Sequence, residues 1–391
     1  MKSCLRTRAP VWDVARGLLV FLVCGILSFT IMAPPTSDSL LHGAGAIAGA
    51  RDLLLWPFDR ASIWNLPIGA NAVYVPASIR QATQWGMTTD PDVLILTPNA
   101  PLTPVYFNSD GWSHRNRCRA EGGVLFSAPI PSDFVVPGAG PRNPDGTTPN
   151  YATAVLATDG MTLFQGQPFA RCTAGGTATI WWFQKNERLD GMGNSGGHGG
   201  SMLSSIGGTI RLTELVLGGV IHHALKVNLF GAENYWYDSA TQGYRWPATT
   251  ADSGAARNYG GSVRALRMGS LLALPSSIDV NSMGLETDAA KILAHAFQDY
   301  GAYTVDDAAW SVYAIATEFS PRGKVEDNFV SSWGFSMRPQ SRTVPWARDM
   351  DRIFGALNVV DNWNEAMWQT VSSSNGAQGA GGGSPRVSWA P

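Results

Sequence analysis

Alternating apolar and polar positions predict that most of the chain forms short β-strands. The clearest signal is the pair of runs 154–158 and 161–165, because they flank Asp159-Gly160, a dipeptide that favours a two-residue hairpin turn. Prolines divide other apolar runs, as is typical of strand ends and sheet edges. Further strands are predicted over 92–107, 122–136, 177–184, 209–217, 220–230, 263–274, 302–305 and 309–317, the last two as a pair.

Two segments have helical periodicity instead. Residues 286–300 repeat small or apolar side chains every three to four positions, and Gly301 follows as a helix stop. Residues 346–357 carry a second apolar stripe of the same period. Because strands outnumber helices, we predict a mainly β fold: an antiparallel β-sandwich or jelly roll with a few appended α-helices.

The N-terminus has the pattern of a targeting segment. Basic residues precede an uninterrupted apolar run over residues 17–33, which predicts either a cleaved signal peptide or an uncleaved membrane anchor. Positive charge before such a run places the rest of the chain outside the cytoplasm. We therefore expect a secreted or extracytoplasmic protein that contacts a membrane only through this segment. The predicted parts are a targeting segment (1–33), a linker (34–55), one β-rich domain (56–371) and a disordered Gly/Ser-rich tail (372–391).

Cysteine usage agrees with export. Cys4 and Cys24 belong to the targeting segment, so the exported part keeps only Cys118 and Cys172. In an oxidising compartment this even pair predicts one disulfide, and the alternative is two buried thiols. The sequence shows no Cys/His metal pattern, and we expect no cofactor. Ca²⁺ is the ion compatible with such folds, although no ligand loop for it is visible.

Composition narrows the class of partner. The net charge is −2 and no basic run follows residue 20, so a nucleic acid partner has little electrostatic support. The 15 tryptophans suit either a glycan-binding surface or a large β core. Only 15% of residues are charged, so ionisable groups inside apolar strands need a partner or a chemical role. Such groups concentrate between residues 207 and 313.

The first candidate group lies on the predicted strands 209–217 and 220–230. Alternate residues of a strand share a face, so a histidine of His222-His223 can meet Glu214 across neighbouring strands. A carboxylate beside an imidazole fixes its tautomer and raises its basicity. The alternative is a buried Glu–His or Glu–Lys pair, the latter through Lys226, that holds two strands together.

The second and third groups follow it. Arg245-Trp246 and Tyr259 lie in a long loop, where an arginine can bind a carboxylate and aromatic rings can stack on sugars. Arg267, further along the chain, is predicted to contact substrate with them. The alternative is an arginine bonded to loop carbonyls. Further on, a predicted helix ends at Tyr300 and the chain re-enters as a strand closed by two acids.

Those two acids are Asp306 and Asp307, which face opposite sides of an extended chain. One of them, paired with Glu214, would supply the two carboxylates of glycoside hydrolysis. The alternative is a turn in which aspartate caps backbone amides.

A glycine-rich loop over 189–208 contains Gly-Asn-Ser-Gly-Gly, which superficially matches a serine hydrolase box around Ser195. The nucleophile elbow of α/β-hydrolases needs a strand before the serine and a helix after it, whereas here glycines flank both sides. We therefore interpret the segment as a loop at the rim of a cleft, where glycine allows close backbone approach.

The order of these blocks resembles a widespread, largely uncharacterised group of secreted bacterial β-rich proteins. The shared features are an early Trp64-Asn65 motif, an I-x-H-A-L strand (221–225), a Y-x-W-P-A loop (244–248) and a late Y-G…V-x-D block ending at Asp306. This likeness spans roughly residues 56–360 and implies an exported single domain. Thr213-Glu214-Leu215 and Val220-Ile221-His222 also bear a faint similarity to motifs of jelly-roll alginate lyases.

The residues together favour an exported carbohydrate-active enzyme that cleaves a polysaccharide by acid–base chemistry, as a glycoside hydrolase or a lyase. Glu214 with His223 would do the acid–base work, and Asp307 or Tyr300 would be the second catalytic group. The alternative is a non-catalytic cell-surface protein that binds glycan or has a structural, assembly role. Substrate contacts are predicted for His222, Lys226, Arg245, Trp246, Tyr259 and Arg267.

Overall fold

The structure is a computed structural model that describes residues 51–112, 117–118, 120–136 and 150–388. The chain divides into two units, residues 1–50 and 51–391, of which only the second is described. The predicted targeting segment and most of the predicted linker lie outside the described residues. Within the described part, no helix combines the length and the apolar character needed to cross a membrane.

Thirteen strands join into one mixed sheet. In spatial order the strands are β1-β13-β9-β10-β8-β11-β2-β5-β6-β7-β3-β4, and β12 pairs with β11. In chain order their bounds are β1 Tyr74–Pro76, β2 Met87–Ile95, β3 Leu102–Phe107, β4 Val124–Pro129, β5 Thr153–Leu156, β6 Thr162–Ala170, β7 Ala178–Arg188, β8 Leu225–Leu229, β9 Leu271–Ala273, β10 Ala302–Asp307, β11 Tyr313–Ser320, β12 Gly323–Lys324 and β13 Asn358–Val360.

The β-rich class is confirmed, but the sheet is not purely antiparallel as we predicted. Strand β2 runs parallel to both β5 and β11, β8 runs parallel to β10, and β3 runs parallel to β7. Both faces of the central strands are covered, as is usual where parallel pairs occur. On β2, for example, Val93 and Ile95 pack into one apolar cluster and Leu94 packs into another. This strand order does not establish a two-sheet sandwich or a jelly roll.

The two longest helices lie where the sequence has helical periodicity. The α-helices are α1 Gly231–Asn234, α2 Ala255–Asn258, α3 Asp288–Asp299, α4 Val325–Trp333, α5 Pro345–Ala356 and α6 Glu365–Ser372. Helices α3 and α5 confirm the two predicted helices. Thr287 begins α3 by accepting a hydrogen bond from the amide of Ala290 through its side chain. Gly301, with φ of 78°, follows its end in the left-handed conformation that glycine tolerates.

Three strand predictions were wrong in extent. Residues 209–217 form turns, 220–230 contribute only β8, and 263–274 contribute only β9. Strands β10 and β11 are present, but β8 lies between them, so they are not a direct pair.

Local hydrogen bonds explain the turns. The Glu214 carboxylate accepts the amide of Arg211 at 2.7 Å, and the amide of Glu214 donates to the carbonyl of Arg211 at 3.2 Å. Thr213 and Gly218 adopt positive φ of 74° and 75°. Hydrogen bonds of this kind between a side chain and the local backbone compete with the hydrogen bonds of a β-sheet. The alternation of apolar and polar residues does not reveal this competition.

The predicted disordered tail was also wrong for its described part. The amide of Gly69 donates to the carbonyl of Ala380 at 2.8 Å, and the amide of Ala70 donates to Ser384 at 2.9 Å. Ala380 is only 1% exposed. The glycines of the tail allow its backbone to pack closely against residues 69–70. A Cβ on Gly69, for example, would overlap the backbone of Gly382.

The cysteine prediction is confirmed. The sulfur atoms of Cys118 and Cys172 are at disulfide distance, and their Cα atoms are 5.6 Å apart. The pair links the turn before β4 to the turn after β6.

Candidate functional site

A row of polar side chains crosses four neighbouring strands at the centre of the sheet. Asp306 on β10 is the register partner of Asn228 on β8, which in turn is opposite Ala314 on β11. On the far side of β11, Ala316 is opposite Asp90 on β2. The Nδ2 of Asn228 donates to Oδ2 of Asp90 at 2.7 Å. Small side chains on β11 therefore leave space for polar groups from three other strands to meet.

A second row lies two residues further along the same strands. Lys226 precedes Asn228 and Asp92 follows Asp90, so the alternation of a strand places both on the same face as the first row. The Nζ of Lys226 lies 2.9 Å from Oδ2 of Asp92, and both side chains are fully buried. Thr209 donates to the same carboxylate oxygen at 2.6 Å.

Burial and the opposite charge of the partner have opposing effects on the pKa values of this pair. Burial lowers the pKa of Lys226, whereas the Asp92 carboxylate raises it, and the net direction is downward. Burial by itself would raise the pKa of Asp92, but Lys226 and His198 nearby bring it below its ordinary value. The row is therefore a buried ion pair, Asp92⁻ with Lys226⁺.

The glycine-rich loop brings His198 to these rows. His198 is 1% exposed, and its Nε2 lies 3.2 Å from Oδ1 of Asp92 and 3.6 Å from Oδ2 of Asp90. Despite these distances, neither ring nitrogen makes a hydrogen bond of acceptable geometry within the described residues. A buried imidazole with two unsatisfied nitrogens is unusual and needs an explanation.

Glycines next to His198 let the backbone approach the carboxylates. The amide of Gly200 donates to Oδ1 of Asp306 at 3.3 Å. A Cβ on Gly199 would overlap the carboxyl group of Asp306, and one on Gly200 would lie 2.7 Å from the carboxyl carbon of Asp252. The glycines predicted to allow close backbone approach at a cleft thus do so against acidic side chains.

Five aspartates crowd into this region. Asp90, His198 and Asp306 each offer one ligand atom, and these atoms lie within 4.8 Å of one another. Asp252 accepts a 2.6 Å hydrogen bond from the hydroxyl of Tyr259. Asp307 accepts the amide of Gly231 at 2.7 Å. Asp92 is the fifth aspartate.

Burial, together with the neighbouring carboxylates, favours the protonated form of several of these aspartates. Burial raises the pKa of Asp306 well above its ordinary value, and the carboxylates of Asp252 and Asp90 add to the effect. Burial also raises the pKa of Asp90, and it raises the pKa of Asp307 to about 6. The site thus holds more carboxyl groups than its surroundings can stabilise in the ionised form.

The site opens into a cleft of about 310 Å³. The side chain of Asp90 is 27% exposed, and Trp310 at the cleft is 45% exposed. Arg338 also lines the cleft, but it already pairs with Glu326 at 2.6 Å. The lining includes Thr88, Asp90, Tyr151, Asn228, Asp306, Asp307, Trp310, Ala314 and Arg338.

The predicted Glu214–His223 contact is present, but it lies in a different, buried network. The Nε2 of His223 is 3.0 Å from Oε2 of Glu214, and its Nδ1 is 2.8 Å from the carbonyl oxygen of Ala224. The cavity beside His223 has a volume of only about 10 Å³, enough for one water molecule. The two residues sit in turns rather than on neighbouring strands, and the surroundings match a structural pair.

Arginine and tryptophan of the long loop also make structural contacts. The guanidinium of Arg245 donates to the carbonyls of Asp361 at 2.8 Å and Trp363 at 3.1 Å. Trp246 packs edge-on against Trp363, with ring centroids 5.5 Å apart. Arg267 lies near Arg245, and burial lowers its pKa. These contacts agree with the alternative in which arginine holds loop carbonyls.

His222 and Tyr300 line another cavity, of about 580 Å³, together with His295 and Asp299. Burial and the Asp299 carboxylate raise the pKa of Tyr300 to about 12. Among the described residues, no hydrogen bond or ion pair joins this cavity, or the Glu214 network, to Asp307.

The predicted site residues therefore divide among several places instead of forming one cleft. Lys226, Tyr259, Asp306 and Asp307 belong to the acidic region, whereas the other predicted residues do not. The sequence reasoning missed Asp90, Asp92, His198, Asn228 and Asp252. Two signals were available: two acids separated by one proline directly before an apolar run (Asp90-Pro91-Asp92), and a histidine between two pairs of glycines (196–200).

A scan of protein-family models, a search of curated proteins and a search of solved structures each returned no match. The resemblance to secreted bacterial β-rich proteins thus stays a prediction, and function has to be argued from the cleft itself.

Proposed function

We propose that the acidic cleft is the active site of a carbohydrate-active enzyme that cleaves a polysaccharide by acid–base chemistry. The observation that carries the proposal is the lining of the cleft, where Asp90 and Asp307 lie in one cavity with the aromatic side chains of Tyr151 and Trp310. Paired carboxylates perform glycoside hydrolysis, and aromatic faces stack on the apolar faces of sugars.

The position of Asp307 suits proton transfer. The amide of Gly231 holds Oδ1 of Asp307 at 2.7 Å, which fixes the orientation of the carboxyl group at the cleft. In the proposed reaction Asp307 protonates the leaving glycosidic oxygen as the bond from the anomeric carbon to that oxygen breaks. Water then adds its hydroxide to the anomeric carbon, and its remaining proton restores the carboxyl group.

Charge favours hydrolysis of a neutral glycan over elimination from a uronic acid. Elimination requires a cationic group that neutralises the substrate carboxylate. Here Lys226 is buried against Asp92, and Arg338 is paired with Glu326. The carboxylates of the site that remain ionised would instead repel an anionic sugar.

A second candidate is a non-catalytic glycan-binding protein. Trp112 and Trp181 are 46% and 41% exposed and lie edge to face, with ring centroids 6.3 Å apart. Exposed neighbouring indoles suit sugar stacking without chemistry. Under either candidate we propose that the protein acts outside the cytoplasm, which the N-terminal apolar run and the Cys118–Cys172 pair support.

The test is glycan turnover by the full chain. We expect release of reducing ends from at least one of a panel of neutral polysaccharides, without the ultraviolet absorbance of an unsaturated uronide. Asp307→Asn should lower kcat at least about 100-fold, which is the usual scale of a lost general acid. Trp181→Ala, away from the cleft, is the control and should keep full kcat.

Retention of full kcat by Asp307→Asn would overturn the assignment of this residue. Glycan binding that Trp181→Ala abolishes, with no turnover by the wild-type chain, would favour the non-catalytic candidate instead.

A further inference from the structure

His198 is the feature that the acid–base proposal leaves unexplained. Its ring is 1% exposed, and both nitrogens lack a hydrogen-bond partner within the described residues. The Oδ1 of Asp92, 3.2 Å from the Nε2 of His198, is buried and makes no hydrogen bond there either, and the same holds for the Oδ1 of Asn228, whose Nδ2 donates to Asp90. Each such group destabilises the fold if nothing satisfies it. Several unsatisfied polar atoms in one place indicate a shared missing partner.

The distances in the cluster match ligand atoms around one ion. Two ligands that each lie about 2.1 Å from a metal are themselves about 3.0–3.5 Å apart in octahedral or tetrahedral geometry. The Nε2 of His198 is 3.2 Å from Asp92 Oδ1 and 3.6 Å from Asp90 Oδ2 without hydrogen-bond geometry. The ligand atom of Asp306 lies within 4.8 Å of those of His198 and Asp90.

The charge of the cluster also calls for a cation. Asp90, Asp92 and Asp306 lie near a single ammonium, Lys226, so ionisation of all three carboxylates leaves an excess of two negative charges. Buried like charges are costly unless protons or a cation neutralise them. One divalent cation would balance this excess and would also provide a partner for the imidazole.

We propose that Asp90, His198 and Asp306 bind one divalent transition-metal cation of the Zn²⁺ or Mn²⁺ class. Asp92 Oδ1, which lies 3.2 Å from the Nε2 of His198, would be an additional ligand. An imidazole among carboxylates selects such ions over Ca²⁺ and Mg²⁺, which prefer oxygen ligands alone. Three ligands from protein leave coordination positions facing the cleft.

The surroundings hold the ligands in position. Lys226 and Thr209 bond to Oδ2 of Asp92 and so leave its Oδ1 unoccupied by protein donors. The amides of Gly200 and Asp307 donate to Oδ1 of Asp306. Outer contacts of this kind are typical of metal sites, where they fix ligand orientation.

The cation site goes beyond the proposed glycan cleavage and does not depend on it, because metal binding is measured without any glycan. If both proposals hold, the ion would supply an activated water in the cleft. If glycan cleavage fails, the site stands as a metal-binding function of the same cluster.

The test is direct metal binding by the full chain after removal of metals with a chelator. Calorimetric titration with Zn²⁺, Mn²⁺ and Ca²⁺ separately should give one site per chain, at least about 10-fold tighter for Zn²⁺ or Mn²⁺ than for Ca²⁺. Titration with Co²⁺ should produce visible absorption bands that report ligation inside the cluster. Circular dichroism checks folding of every variant.

His198→Ala and Asp306→Asn should each weaken binding of the preferred ion at least about 100-fold. Asp306→Asn guards against misfolding, since it keeps the side-chain size and removes a buried charge. His222→Ala and Asp299→Asn, in the separate 580 Å³ cavity, are the matched controls and should bind as the wild type does.

Three results would overturn the proposal. They are absence of binding by the folded wild-type chain, unchanged binding by both cluster variants, and loss of binding in the control variants instead. Equal or tighter binding of Ca²⁺ would overturn the assignment to a transition metal.

Discussion

The ammonium of Lys226 lies 2.9 Å from Oδ2 of Asp92, and neither side chain has exposed surface. Lys226 also donates to the carbonyl of Ser204 at 2.9 Å, so the pair ties β8 to β2 and to the glycine-rich loop. Strand β11 lies between β8 and β2, and the contact therefore passes over its small side chains. A buried pair in this position helps to set the arrangement of the site above it.

Lys226→Met tests the pair. Removal of the ammonium leaves the Asp92 carboxylate uncompensated in the interior, and we expect the free energy of unfolding to fall by about 3–5 kcal/mol. The double variant Lys226→Met/Asp92→Asn should recover much of this loss. Urea unfolding of the wild type, both single variants and the double variant gives the coupling energy. A coupling energy near zero would contradict the pairing.

The Glu214–His223 contact predicts a stability effect without a catalytic one. Glu214→Gln should lower the free energy of unfolding by about 1–3 kcal/mol, because Oε2 accepts from the amide of Arg211 and lies 3.0 Å from the Nε2 of His223. Glycan turnover at temperatures where the variant remains folded should be unchanged, because the pair is not part of the acidic cleft. Asp307→Asn should show the opposite pattern. A large loss of kcat in folded Glu214→Gln would restore the catalytic hypothesis.

The sequence was sufficient for elements whose signal is local. Helix α3 has both a regular period and a stop at Gly301, and the β5–β6 hairpin has its Asp159-Gly160 turn. The residues of the acidic cluster come from β2, β8, β10 and the glycine-rich loop, and only the tertiary fold brings them together. Asp90 and Asn228 meet over Ala314 and Ala316, a relationship that no spacing along the chain encodes.

The packed tail leads to a prediction at Gly69. A Cβ there would overlap the backbone of Gly382, and the nearby amide of Ala70 donates to Ser384, so the two segments cannot separate without loss of these bonds. Gly69→Ala should therefore lower the free energy of unfolding by about 2 kcal/mol or more. Gly123→Ala is the control, since nothing lies within 4 Å of its Cβ position. Similar urea midpoints for the two variants would argue against the tail contact.

The salt bridges of Glu286 with Arg348 and Arg352 on α5 predict a loss of stability in acid. Hydrogen bonds from Arg348 and Arg352 lower the pKa of Glu286 from 4.5 to about 2. Because the pKa is depressed on folding, the stabilisation is present above the ordinary pKa of 4.5 and is lost as pH falls through about 2.

Glu286→Gln provides the measurement for this cluster. Its deficit in free energy of unfolding relative to the wild type should be present at pH 7 and should vanish near pH 2. The deficit should also shrink at high ionic strength, because the partners are accessible to solvent. A deficit that grew on acidification would contradict the assigned sign.

Ala314 provides a test of the cleft itself. It lines the cavity on β11, between Asn228 on β8 and Thr88 on β2, where the absence of a large side chain leaves the cleft open. Ala314→Leu should project into the cleft and lower kcat/KM for the glycan at least about 10-fold through exclusion of substrate. Ala309→Leu, at an exposed position that also lines the cleft, should have a smaller effect and serves as the control. The two variants should differ little in urea midpoint if the added side chain occupies solvent-filled space. Unchanged turnover in folded Ala314→Leu would place the reaction outside this cleft.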